Sequence, residues 1–166
     1  MFYHSRLEPG LGGAHGIPIL HLIDCCIRWS ACIKSQSKST RDLLDGISLA
    51  WVNVFGGMQT LTLDGETGMR GKEVDDWAMY NQITLKYKAP HQKAWLVERH
   101  NALIRPALQR AESQVIKESL CISFTTVPGI VTFMHNALVC INQHTPYQAL
   151  LGRQPHLLPP LEGGYH

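Results

Sequence analysis

The order of apolar patterns along the chain predicts an α/β fold, with a five-stranded mixed sheet flanked by helices. Three observations lead there. Strand-like runs come first and are consecutive; two further short alternating runs, MQTLTLD and ITLKYK, each follow a helical pattern; the remainder of the chain is mostly helical. A length of 166 residues with 45% hydrophobic and 17% charged residues fits one globular domain over residues 1–166.

The elements follow in order. MFYHSR is a short strand running into LEPGLGGAHG, whose glycines favour a turn. IPILHLIDCCIRWSACIKS is long, branched and apolar, and its polar break at Asp24 divides it into two strands joined by a tight turn. Ser39 or Thr40 then caps a helix whose apolar face is Leu43, Leu44, Ile47, Trp51 and Val54, and Gly56-Gly57 stops it. In MQTLTLD, threonine and leucine alternate as in a half-buried strand, which delivers Asp64 at its end. A short helix from Val74 to Asn81 leads to ITLKYK, whose lysines suit a sheet edge.

After Pro90, Val97, Ile104, Leu108, Ala111 and Val115 recur at helical spacing, with Glu98, Arg105, Gln109 and Glu112 on another face. Pro106 lies inside that pattern and predicts a bend near residues 102–106. A last helix opened by Val127-Pro128 carries Val131, Met134, Leu138 and Ile141. HTPYQALLGRQPHLLPP reads as turn-rich packing.

Composition excludes several function classes. A net charge of +2 permits a polyanionic partner without requiring one. Five cysteines without C-x-x-C spacing indicate neither a disulfide framework nor a zinc ribbon, and point to a reducing, intracellular compartment. They are expected to be small buried apolar residues. No apolar run has the length of a membrane span, and MFYHSRLEPG has no signal-peptide pattern.

The chemistry resides in a carboxylate pair. A strand-end aspartate, Asp64, and a first-turn helix glutamate, Glu98, offer the oxygen ligands that hard cations such as Mg²⁺ or Mn²⁺ prefer. Alone, each has a plainer reading: Asp64 before Gly65 as a turn former, and Glu98 as a partner of the helix dipole. Thirty-three residues separate them, and LTLDGETGM, PHQKAWLVERHNALIR and TPYQALLGRQP together resemble the integrase catalytic core of copia-like retrotransposons and, more distantly, retroviral integrases.

The resemblance covers nearly the whole chain. It implies a ribonuclease H-like fold, three carboxylates holding Mg²⁺ or Mn²⁺, and the joining of element DNA ends to target DNA. Asp64 matches the second carboxylate and Glu98 the third. Gly65-Glu66 and Ala94-Trp95 depart from the family's usual residues at positions that need not ligate metal. The first carboxylate has no match: Asp24 belongs to the second strand's turn and is a poor ligand. The expected position falls at or before Met1, so activity of the intact type is uncertain for this chain.

Other candidate DNA contacts are Arg99, His100, Arg105, Lys86 and Lys88, each with a solvated surface or protected edge as its plainer explanation. Trp95 is a candidate for stacking on a nucleobase. Glu73, Asp75 and Asp76 read as an exposed helix start rather than a second metal site. The alternative to an integrase core is a catalytically inactive nucleic-acid-binding or dimerising remnant of a mobile element. DNA and a second copy are thus the expected partners, in the nucleus or a cytoplasmic particle.

Overall fold

The computed structural model describes residues 2–7, 17–63, 69–88, 95–123, 126–141 and 143–156. Its elements are β1 (Phe2–Leu7), β2 (Ile17–Ile23), β3 (Ser30–Lys34), α1 (Thr40–Ile47), a π-helical turn (Ser48–Val52), α2 (Asn53–Phe55), β4 (Thr60–Leu63), α3 (Lys72–Tyr80), β5 (Thr84–Tyr87), α4 (Trp95–Lys117), α5 (Thr126–Leu138) and α6 (Pro146–Leu151). The glycine-rich turn expected after β1 lies outside the described residues.

All five strands form, but their ladders differ from the expectation of one sheet. Among the described residues, β1, β2 and β3 make an antiparallel sheet and β4 and β5 a separate parallel pair. Alternation identifies each strand by its buried face. It carries no information about which edge meets which.

One core nevertheless spans both sheets. Leu20 and Leu22 of β2, Leu61 and Leu63 of β4, Leu43, Leu44 and Ile47 of α1, and Val74 and Ala78 of α3 pack together. Helix α1 opens as expected, with Ser39 Oγ accepting from the Asp42 amide. Gly46 sits so close to the sheet that a Cβ there would lie 2.8 Å from Leu20 Cδ2. Beyond Ile47 the helix widens into the π turn, and Trp51 is only half-buried while Val54 is exposed. A π turn rotates later residues off the 3.6-residue period, which is why the expected stripe fails at its end.

Asp24 closes the β2–β3 hairpin. Its Oδ1 accepts from the amides of Cys26 and Ile27, and its own N–H donates to Trp29 O. Arg28, at φ 64°, completes the turn. Asp24 therefore has a local structural role of its own.

Helix α4 runs through Pro106 as one element. Proline removes the bond to the Ala102 carbonyl, and both residues are exposed, so water can take that carbonyl. Val97, Ile104 and Leu108 are buried, as their spacing predicts. Ile104 and Leu108 join Ile19, Cys32, Val127 and Val131 in a second core between the antiparallel sheet, α4 and α5.

Two expectations fail in α5 and after it. Met134 and Leu138 are largely exposed, and Ile141 leaves the helix for an isolated bridge to His144. The segment expected to be turn-rich folds into α6, with Thr145 Oγ1 accepting from the Gln148 amide and Gln148 Oε1 accepting from the Thr145 amide. Of the five cysteines, only Cys32 is buried; Cys25, Cys26, Cys121 and Cys140 are exposed, on turns and segments that face solvent.

Candidate active site

Glu98 stands in the first turn of α4, and three contacts set the position of that turn. Leu96 and Val97 pack on Ile23 at the end of β2, turning the apolar side of the helix inward and leaving Glu98 exposed. One turn later, Asn101 is tied to the sheet: its Oδ1 lies 2.7 Å from His21 Nδ1. With that oxygen as acceptor, Nδ1 carries the hydrogen, and Nε2 is left to accept from Ser30 Oγ at 3.3 Å. The adjacent His100 ring meets His135 of α5, with Nδ1 and Nε2 3.2 Å apart.

This histidine layer is held neutral. Burial brings His21 down to about 4, with the nearby His100 and His135 adding to the effect against the Asn101 bond. Burial and then His135 lower His100 to about 4, and burial lowers His135. A single N–H between His100 and His135 suits that state. The layer is therefore scaffolding beneath the Glu98 turn, which spacing along the sequence does not reveal.

Asn136 extends the same layer. Its amide donates to Ser30 O at 2.8 Å and its Oδ1 accepts from Ser30 N at 2.9 Å. Ser30 pairs with Ile23 in the register, and these two contacts occupy the backbone groups that it turns away from β2. α5 thereby covers the free edge of β3.

Asp64 lies outside the described residues, so its approach to Glu98 is not described. Its chain neighbour Leu63 is buried at the end of β4, and Lys88 N donates to Leu63 O at 3.1 Å. This puts the start of the β5–α4 connection beside the exit of β4. Glu98 itself makes no hydrogen bond or ion pair among the described residues, and such an open carboxylate suits an oxygen-seeking cation. No group of three metal-binding side chains occurs among the described residues.

The expected DNA-contacting residues separate into two groups. Lys86 and Arg99 are exposed, and Lys88 and Arg105 are half-buried. His100 is buried against His135 and does not face solvent, because its place in α4 one turn before Ile104 falls on the inward side. The Trp95 side chain lies outside the described set. Glu73, Asp75 and Asp76 lie exposed on α3, and Asp76 pairs with Lys72 at 2.5 Å. No described helix is long and apolar enough to cross a membrane.

No protein-family model matches the chain, and no curated protein matches it by sequence. Solved structures do. A chain of the simian T-cell lymphotropic virus intasome, in complex with PP2A regulatory subunit B56 gamma, superposes with a TM-score of 0.73 at 13% identity; the match covers 96% of this chain but only 54% of that one. The catalytic core domain of BIV integrase gives 0.71 at 14% identity, with 91% of each chain covered. The HTLV-2 integrase catalytic core domain in complex with magnesium, in a trimeric form, gives 0.70 at 12% identity over 89% of this chain and 90% of that one. The fold is thus that of integrase catalytic cores, a ribonuclease H-like α/β arrangement.

Proposed function

We propose that this chain is the catalytic core of an integrase from a copia-like mobile element, acting on DNA by metal-dependent phosphoryl transfer. One observation carries the reading: on a fold shared with integrase cores, Glu98, without a hydrogen-bond or ion-pair partner among the described residues, occupies the first turn of a helix anchored to the sheet. Asp64 follows β4 directly in the chain, and together they are the residues that would hold Mg²⁺ or Mn²⁺. The ions, when bound, supply Lewis-acid stabilisation of the attacking and leaving oxygens. The chain's own contributions are to orient Glu98 through Leu96, Val97 and Asn101, and to offer Lys86, Lys88, Arg99 and Arg105 to phosphates. Two HTLV-2 core structures are magnesium complexes, which supports the choice of ion.

Metal binding tests the reading. Millimolar Mg²⁺ or Mn²⁺ is expected to raise the melting temperature by about 3–6 °C once it is tenfold above its dissociation constant. D64N and E98Q should each remove most of that rise without changing the far-UV circular dichroism. A melting temperature insensitive to both ions, with DNA binding retained, would instead identify an inactive nucleic-acid-binding remnant.

Self-association belongs to the same proposal. The HTLV-2 cores are described in dimeric and trimeric forms, and a groove of about 400 Å³ between α4 and α5 is bordered here by exposed Leu103, Ile130, Met134 and Leu138. A second copy of the chain is the partner proposed for that face.

A further inference from the structure

At the end of the two-stranded sheet, Arg70 lies over the ring of Tyr87, with its Cζ 5.2 Å from the ring centroid. Tyr87 is the last residue of β5 and pairs in register with Leu63, from which the chain continues to Asp64. Partners in a ladder point to the same face, so Leu61, Leu63, Leu85 and Tyr87 share one side of the pair. Val74 and Ala78 of α3 bury Leu61 and Leu63 on that side, and Leu85 packs partly against the same core. Tyr87 comes one step later, where this cover ends, and Arg70, just ahead of α3, reaches its ring instead.

Covering a tyrosine face accounts for the position of Arg70 but not for what stays open. With the guanidinium in place Tyr87 is still 39% exposed, and Arg70 is exposed as well. Burial and then Asp75 hold the Tyr87 phenol above its usual range against the pull of Arg70, so the ring is neutral. An open aromatic ring beside a planar cation matches one chemical class closely. A nucleobase stacks on either plane, and the N–H groups of the guanidinium serve the adjoining phosphate. Bases inside a duplex have both faces covered, so only an unpaired base can use the site. Asp75 acts on the same ring and disfavours a second phosphate there, which limits the ligand to one nucleotide rather than a continuous backbone.

We propose that Arg70 and Tyr87 form a stacking site for one unpaired DNA base, with Arg70 also contacting its phosphate. The inference rests on the reading of the chain as a DNA-acting integrase core, and it adds a site for a single-stranded nucleotide beside the exit of β4.

Fluorescence of 2-aminopurine tests it on the full chain, in EDTA so that the carboxylate pair plays no part. The probes are a short DNA single strand carrying the base and a blunt duplex with the same base inside. Binding should quench the single strand and leave the duplex signal nearly unchanged. Y87A should weaken single-strand binding about tenfold and abolish the quenching, whereas Y87F, which keeps the aromatic face, retains both. R70Q should weaken binding and reduce the salt dependence by about one phosphate contact. Y80A, at the far end of α3, should change neither.

Affinity and quenching that are the same in wild type, Y87A and R70Q overturn this site while DNA binding itself stands. Equal quenching of duplex and single strand overturns it too. A wild-type chain that binds neither probe removes the DNA reading and this inference with it. The two probes and R70Q decide even if Y87A does not fold.

Discussion

His21 is 1% exposed, and its pKa near 4 is a statement about stability. Its neutral form is the one that fits between Asn101 and Ser30. Because the folded value lies below the ordinary value of 6.5, the unfolded chain binds more protons between the two. Stability from this group is therefore full above pH 6.5 and is lost as pH falls toward 4. The loss amounts to roughly 3 kcal/mol for His21 taken alone, and His100 and His135 push in the same direction. Denaturant titrations at a series of pH values should show this slope, and H21Q should flatten it. A wild-type midpoint that does not change between pH 7 and 4.5 would contradict the neutral layer. Glu98 was legible as a residue from its motif and its place in the helical pattern. The layer beneath it was not, because His21, His100 and His135 come from three distant segments and only folding brings them together.

At the scale of elements, the connection leaving α2 depends on two adjacent glycines that do different things. Gly56 has φ 81° with ψ −177°, an extended positive-φ conformation that glycine alone adopts readily and that ends the helix. Gly57 passes so close to the next layer that a Cβ would lie 2.2 Å from the Asn81 carbonyl oxygen, which is backbone and cannot swing away. G57A should cost about 2–3 kcal/mol by forcing β4 away from the end of α3. G129A, within α5 and with nothing within 4 Å of the added methyl, should instead be neutral or stabilising by up to about 1 kcal/mol. Urea unfolding of both variants checks the contrast. The glycine pair was readable as a stop signal, and the steric reason for the second glycine was not. Helix α6 is the opposite case: the T-P-Y-Q run carries a capping box with proline at its first position, a local signal that the turn-rich reading of this segment missed. The expected end of the α1 stripe was lost for a reason that local pattern does not contain, the insertion of a π turn.

For the whole molecule, the exposed apolar face between α4 and α5 predicts self-association. Met134 is 42% exposed, and it neighbours Ile130 and Leu138 on the same face of α5. Sedimentation at rising concentration should show an oligomer that M134E disperses, while the melting temperature of the dilute protein stays within a few degrees. A chain that remains monomeric at high concentration would remove the second copy from the proposed function.

The order of the strands, the alternation in β4 and the buried stripe of α4 were determined by the amino-acid sequence itself, because period is a local property. Which strand edges meet, which histidines share a layer and which side chain lies over the Tyr87 ring were decided only in three dimensions. These depend on contacts between residues far apart in the chain, and a strand's period of two describes its faces while remaining silent about its edges.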